Sequence, residues 1–304
     1  MVTALKVTNY LGESLEIDPF DPESSGFLIT DIKGITPEKG DINFTSITTN
    51  DGGLYNSSRI GTRNITLKLV YFPHPTIEKT RLLSYKFFPI KRQITLEFTT
   101  ENRKAEILGY VESNDISVFT QTEYSSISIV CPDPYFYSTS ADGNIDVVFA
   151  GTMPKMRFSF PSKSDVAPNL IMGDIQGFRE QVVTYNGDSE IGMELILRAL
   201  GSVGTVTVYN RITNESMMID ADKIAELTGH GIIAGDVITV LTYRGNKKIS
   251  LLRNGVTTNI LNCLDKNTTW LQIRKGDNVF AFSATFGTID LQVEIKSKTM
   301  YEGL

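Results

Sequence analysis

Residue alternation predicts a mainly β chain in two parts: a first half of strands around one α-helix, as a β-sandwich or barrel, and a second half that is a β-sandwich of jelly-roll or galectin-like type. Three observations carry this. Ile65, Leu67 and Leu69 alternate with Thr66 and Lys68, the period of a half-buried strand. In the first half only the stretch between Pro75 and Pro89 changes to helical spacing. Beyond Asn144, turn residues recur about every ten positions, which favours a sandwich over a barrel clad in helices.

Taken in order, Leu5 to Asn9 and Phe27 to Ile32 are short alternating runs, and Ile42 to Thr48 sets Ile42, Phe44 and Ser46 on one face. The segment Asp51-Gly-Gly-Leu-Tyr-Asn-Ser-Ser-Arg-Ile-Gly-Thr-Arg63 starts as a turn, because Gly52 and Gly53 tolerate positive φ, and then opens the Ile65 strand. Between the two prolines, Ile77, Arg81 and Tyr85 stand four apart, and Leu82 or Leu83 joins Ile77 and Lys86 on the adjoining stripe. Glu78 suits the positive end of the helix dipole, Pro75 fits the opening turn and Pro89 stops the helix. Strands resume at Gln93–Phe98, Ala105–Val111 and Ser125–Val130. In Cys131-Pro-Asp-Pro-Tyr-Phe-Tyr-Ser138 neither proline can donate to a ladder, so Tyr135, Phe136 and Tyr137 are expected to leave the sheet as a stiff aromatic arm.

The small, polar Ser138 to Asn144 stretch predicts a domain boundary near residue 140, giving domains 1–140 and 141–304. Pro161 to Pro168 is a loop within the second. Asn186-Gly187 and Asn254-Gly255 predict type I′ hairpins, the latter joining Lys247–Leu252 to Val256–Ile260. Further hairpins are expected at Gly201 to Gly204 and at Gly276-Asp277, between Trp270–Ile273 and Val279–Phe282. Asp222 to Thr228 is briefly helical.

A chain of 304 residues, 41% hydrophobic, can fill sizeable cores. Its net charge of -6 argues against general nucleic-acid binding, which needs surplus cations against phosphate. Cys131 and Cys263 fall in different halves and read as reduced thiols of a protein made in a cytoplasm. Met1 to Tyr10 is too polar for a secretory signal, and no uncharged apolar run has membrane-spanning length, so no membrane insertion is expected. The Asn56–Ser58 and Asn267–Thr269 triplets are therefore expected to be unmodified.

Searching for chemistry excludes more than it finds. His74 and His230 have no partner at metal-ligand spacing, and His74 sits between Pro73 and Pro75 where a turn role suffices. Nucleophile elbows, phosphate loops and dinucleotide fingerprints are missing from the sequence. Asp236, Asp265, Asp277 and Asp290 mostly stand beside glycine or in turns, where Asx-turn duty explains them better than a glycosidase pair. Asp142-Gly-Asn-Ile-Asp146 lacks the ligand series of a calcium loop. No catalytic, cofactor or metal residue is assigned, and the chain reads as a non-enzyme. Arg59 and Arg63 are either the solvated face of a strand or, with Tyr55, parts of a subunit interface. Trp270 reads as packing, with a carbohydrate platform as the alternative; Phe280, Phe282 and Phe286 read as core.

The Asp51–Arg63 and Cys131–Ser138 segments, followed by a second half ending in Trp270 to Phe282 and a Tyr301-Glu-Gly303 tail, resemble the distal tail proteins of long-tailed phages, the hubs of tail tips. That resemblance implies that the first domain forms a ring, a homo-hexamer, at the end of the tail tube. It favours the interface reading of Tyr55, Arg59 and Arg63; Tyr135, Phe136 and Tyr137 either cap the first domain's core or, as an aromatic arm bracketed by prolines, dock Tyr135 and Tyr137 against a partner. Its implied neighbours are the tail tube protein, a tail-associated or receptor-binding protein and the tape measure protein. DNA would pass through the ring without specific binding, and the protein would reside at the virion tail tip after synthesis in the host cytoplasm. The alternatives are a carbohydrate-binding adhesin acting through the second half and, behind it, a glycoside hydrolase.

Overall fold

The computed structural model describes residues 1–46, 51–118, 120, 122–154, 173–177 and 180–304. Ile47 and Thr48 at the end of one predicted strand, and the Pro161–Pro168 loop, lie outside them. The chain divides into two compact units, Met1–Gly143 together with Met300–Leu304, and Asn144–Thr299. Residues 300–304, expected in the second domain, belong to the first.

The first unit comprises β1 (Val2–Thr8), β2 (Ser14–Ile17), α1 (Pro22–Ser25), β3 (Phe27–Lys33), β4 (Gly40–Ser46), β5 (Gly53–Ile60), β6 (Arg63–Tyr71), α2 (Ile77–Phe87), β7 (Gln93–Thr100), β8 (Lys104–Ser117), β9 (Tyr124–Cys131) and β10 (Phe136–Ser138). Its main sheet runs β2-β1-β7-β8-β9-β6-β3, with β10 attached to β8 and a last strand, Met300–Tyr301, attached to β10. Register shifts in the β1–β7, β3–β6 and β8–β9 ladders mark bulges, which bend a sheet around its core. β6 shows the driving pattern: positions 63, 65, 67, 69 and 71 are buried and those between are exposed or half-buried. The core includes Leu5, Val7, Phe27, Leu67, Leu96 and Phe98, all fully buried.

α2 lies on this core through Thr80, Ser84 and Phe87. Its cap is Thr76, whose hydroxyl accepts Lys79 N–H at 3.3 Å, so Pro75 precedes the helix rather than opening it. The four-residue α1, ended by Gly26 at φ 81°, gave no periodic signal because it is shorter than one repeat of the apolar pattern.

The predicted aromatic arm is not formed. Pro132 and Pro134 do interrupt the sheet, but the chain re-enters it as β10, whose Phe136, Tyr137 and Ser138 all keep their N–H groups. Phe136 is fully buried and meets Phe98 edge-on at 6.0 Å between ring centroids. Cys131, at the end of β9, is buried too, and burial pushes its thiol from the ordinary 9.0 up to about 12 while Arg63 pulls it back. The folded state thus holds this proton more tightly than the unfolded chain. The contribution is whole below about pH 9 and is lost as pH rises toward about 12. We expect Cys131 to resist maleimide in native protein at mildly alkaline pH and to react once unfolded; rapid native labelling would contradict this.

The second unit comprises β11 (Asn144–Val148), β12 (Ala150–Pro154), β13 (Gly173–Gly177), β14 (Glu180–Tyr185), β15 (Glu194–Ala199), β16 (Val206–Asn210), β17 (Glu215–Ile219), α3 (Ala221–Thr228), β18 (Val237–Leu241), β19 (Lys248–Arg253), β20 (Val256–Asn259), β21 (Gly276–Ala284) and β22 (Leu291–Lys298). Two antiparallel sheets, β11-β22-β15-β18-β19-β20 and β14-β21-β16-β17, make the sandwich, and β12 pairs separately with β13. Phe149 and Phe282 meet edge-on at 5.7 Å in its core. α3 begins at Asp220, whose carboxylate accepts the N–H groups of Asp222 and Lys223, and ends at Gly229, φ 84°. β23 (Met300–Tyr301) then returns the chain to the first unit.

One predicted hairpin forms: Asn254 at φ 51° and Gly255 at φ 78° connect β19 to β20. Gly255→Val should cost about 1–2 kcal/mol, because a side chain is disfavoured in that backbone region. The loss should appear as an earlier fluorescence transition of Trp270 in denaturant, and an unchanged midpoint would refute it. The other three do not form. β14, which precedes Asn186-Gly187, pairs with β21; β15 and β16, which flank Gly201–Gly204, lie in different sheets; and Trp270–Ile273 contributes only an isolated bridge from Ile273 to Ile191. Flexible dipeptides serve crossings between sheets as well as tight hairpins. Phe280 and Phe282 are core as expected, whereas Phe286 is 59% exposed on the turn after β21.

Candidate assembly interface

β4 and β5 form a two-stranded ribbon, paired with each other and, among the described residues, with no other strand. An isolated ribbon is marginal in water, and among the described residues neither outer edge pairs with another strand. Its register places Phe44 opposite Tyr55 and Ile42 opposite Ser58, so Ile42, Phe44 and Tyr55 share one face. They are 62%, 67% and 65% exposed. Tyr55 Oη lies 2.8 Å from Ser58 Oγ on that face. On the opposite face, Arg59 stands 3.5 Å from Asp41, Asn56 donates to Thr45 Oγ1 at 2.8 Å, and Leu54 is 59% exposed. Arg59 and Tyr55 are therefore where an interface could use them. Ile42 and Phe44 share one face as expected, but the sequence reading did not place them, or Leu54, at the surface: alternation does not say whether anything covers a face.

Arg63 is neither solvated nor available to a partner. Its side chain is 1% exposed. Nε donates to Pro134 O at 2.6 Å, Nη1 to Gly34 O at 2.6 Å and Thr36 O at 2.7 Å, and Nη2 to Glu302 O at 2.6 Å. Phe136 lies under the guanidinium at 4.7 Å and the Glu38 carboxylate stands at 4.0 Å. Burial lowers the Arg63 pKa and Glu38 opposes the shift. Arg63 pairs with Cys131, where β9 ends and the chain steps through Pro132 and Pro134 to β10. The arginine supplies the donors that an interrupted ladder lacks, tying four carbonyls on three backbone segments through a planar fork no other side chain offers. Its parity was a readable sign: counting by twos, Arg63 falls in phase with Ile65, Leu67 and Leu69.

Tyr137 is half-buried in β10 and donates to Asp133 Oδ2 at 2.6 Å; Tyr135 is half-buried in the step before it. Tyr137 thus sits in the sheet and Tyr135 just before it, rather than on a free arm. Trp270 is half-buried outside any strand, with Lys247 Nζ 5.4 Å from its ring centroid. Three of the four singled-out carboxylates hold local structure. Asp265 accepts Asn267 N–H at 2.8 Å and Asp277 accepts the Thr184 hydroxyl at 2.7 Å. Asp236 is buried against Arg253 at 2.5 Å and also accepts Ile233 N–H at 2.9 Å. Among the described residues no group of three or more His, Cys, Asp and Glu could hold a metal ion, and no helix is long and apolar enough to cross a membrane.

No protein-family model and no curated protein matches the amino-acid sequence. Solved structures do. The baseplate of phage P2 in its activated conformation with calcium contains a chain 13% identical, with 98% of this chain and 99% of that chain covered at a TM-score of 0.49. The Dit protein of phage SPP1, described as a paradigm of the hub adsorption apparatus in phages infecting Gram-positive bacteria, is 11% identical and matches 97% of this chain and 98% of that chain at a TM-score of 0.61. The chain thus carries, across both units, the fold of a phage distal tail protein.

Proposed function

We propose that this protein is a structural hub of a phage tail tip, acting without catalysis: its first unit assembles into a hexameric ring below the tail tube protein, and its second unit faces a tail-associated or receptor-binding protein. The whole-chain correspondence with the SPP1 hub protein supports the tail-tip reading, since both units align rather than one common domain. The single feature that carries the ring is the β4–β5 ribbon. An exposed ribbon with an apolar face can meet a different surface on the next copy, a heterologous contact, and such contacts close into rings when the rotation fits. With a net charge of -6, the ring would let DNA through without holding it. In this reading the tape measure protein is a third neighbour.

A peptide tag inserted at the exposed Asn254-Gly255 turn tests the location. Antibody should decorate the tail tip in electron micrographs of the parent particle. Decoration of capsids, or tagged protein recovered only outside particles, would contradict the proposal.

A further inference from the structure

We propose that Met300–Leu304 is a donor strand for a peptide groove on the first unit, recognised as an extended peptide, so that the first unit is complete only when this segment is seated. Its backbone is read along its length. β23 extends β10 with Phe136 opposite Tyr301 and Tyr137 opposite Met300. Arg63 donates to Glu302 O at 2.6 Å, Arg103 donates to Gly303 O at 2.8 Å, and Leu304 N–H reaches Ile35 O at 3.0 Å. This is recognition by strand addition, in which main-chain bonds give affinity and side-chain pockets give selectivity.

Selectivity comes from three positions. Met300 is 4% exposed, and the Tyr301 ring lies 4.4 Å from the Arg103 guanidinium. Gly303 is the strictest: a Cβ there would stand 2.7 Å from Pro37 Cδ and 2.9 Å from Pro37 N, with no flexible group to yield.

The groove and its occupant are far apart in the chain, 239 positions separating Arg63 from Glu302. The second unit is therefore an insertion within the first. Its own pairing of Asn144 with Lys298 brings the insertion's two ends together. Once it folds, the long closure shrinks to a few residues, and the segment is delivered beside Phe136 at little entropic cost.

The experiment deletes Met300–Leu304 from the full chain and follows amide hydrogen exchange. Exchange across Phe136–Ser138 should rise at least about tenfold, while β11 and β22 amides keep their protection. Adding the synthetic peptide Met-Tyr-Glu-Gly-Leu should restore protection saturably, and the same peptide carrying Gly303→Val should not. If the deletion yields no soluble protein, full-length Gly303→Val should show the local rise. Unchanged exchange in the variant made, failure of the native peptide to protect the deleted chain, or equal rescue by both peptides would overturn the proposal.

Discussion

Arg63→Met should unfold the first unit while leaving the second standing. The methionine fills much of the space but withdraws the donors, stranding the carbonyls of Gly34, Thr36, Pro134 and Glu302 in a site that is 1% exposed. Each buried carbonyl left without a partner costs about 1–3 kcal/mol, so the loss should be about 4 kcal/mol or more, a large share of a domain's net stability. Arg63→Lys should recover little, because an ammonium cannot span four acceptors held in a fork. Exchange of β6 and β9 amides would report the first unit, and Trp270, which belongs to the second, would report the other by fluorescence. Retention of first-unit protection in Arg63→Met would return Arg63 to a surface role. The same geometry disqualifies Arg63 as a probe of assembly: its charge reversal would remove the fold before it could disturb an interface.

Phe44→Asp combined with Tyr55→Asp should abolish ring formation without unfolding the chain. Both side chains are about two-thirds exposed, at 67% and 65%, so the isolated unit loses no core when they change. Desolvated aromatics at the centre of a contact are worth about 2 kcal/mol or more apiece, and losing both should weaken subunit contact by at least about a hundredfold, ~3 kcal/mol. Analytical ultracentrifugation should find folded monomer for the variant where the parent assembles. Equal assembly by both would remove the ribbon from the interface. Arg59→Glu should act more weakly, since its partner Asp41 is exposed and such pairs are worth about 0–1 kcal/mol.

What was legible in the sequence was local. The alternation through β6, the helix between Pro75 and Pro89, the Asn254-Gly255 turn and the capped α3 each follow from a few adjacent residues, and each is where the pattern put it. What escaped depends on distant chain. Pro132 and Pro134 announce an interruption, yet only the presence of β8 and β23 decides that the chain re-enters the sheet as β10. Arg63 looked like surface charge because its acceptors are backbone carbonyls, which residue types do not advertise; its phase with Ile65 was the single local sign. The β4–β5 ribbon was half legible, since the alternation of Ile42 and Phe44 sets them on one face, as found, but does not tell that this face is exposed.

Native mass spectrometry of the full chain over a rising concentration series tests the central claim most directly. The account predicts a species of six chains that accumulates without a stable twofold dimer, as a head-to-tail contact that closes into a ring requires. A distribution that remains monomeric at every concentration, or that stops at a dimer, would contradict it.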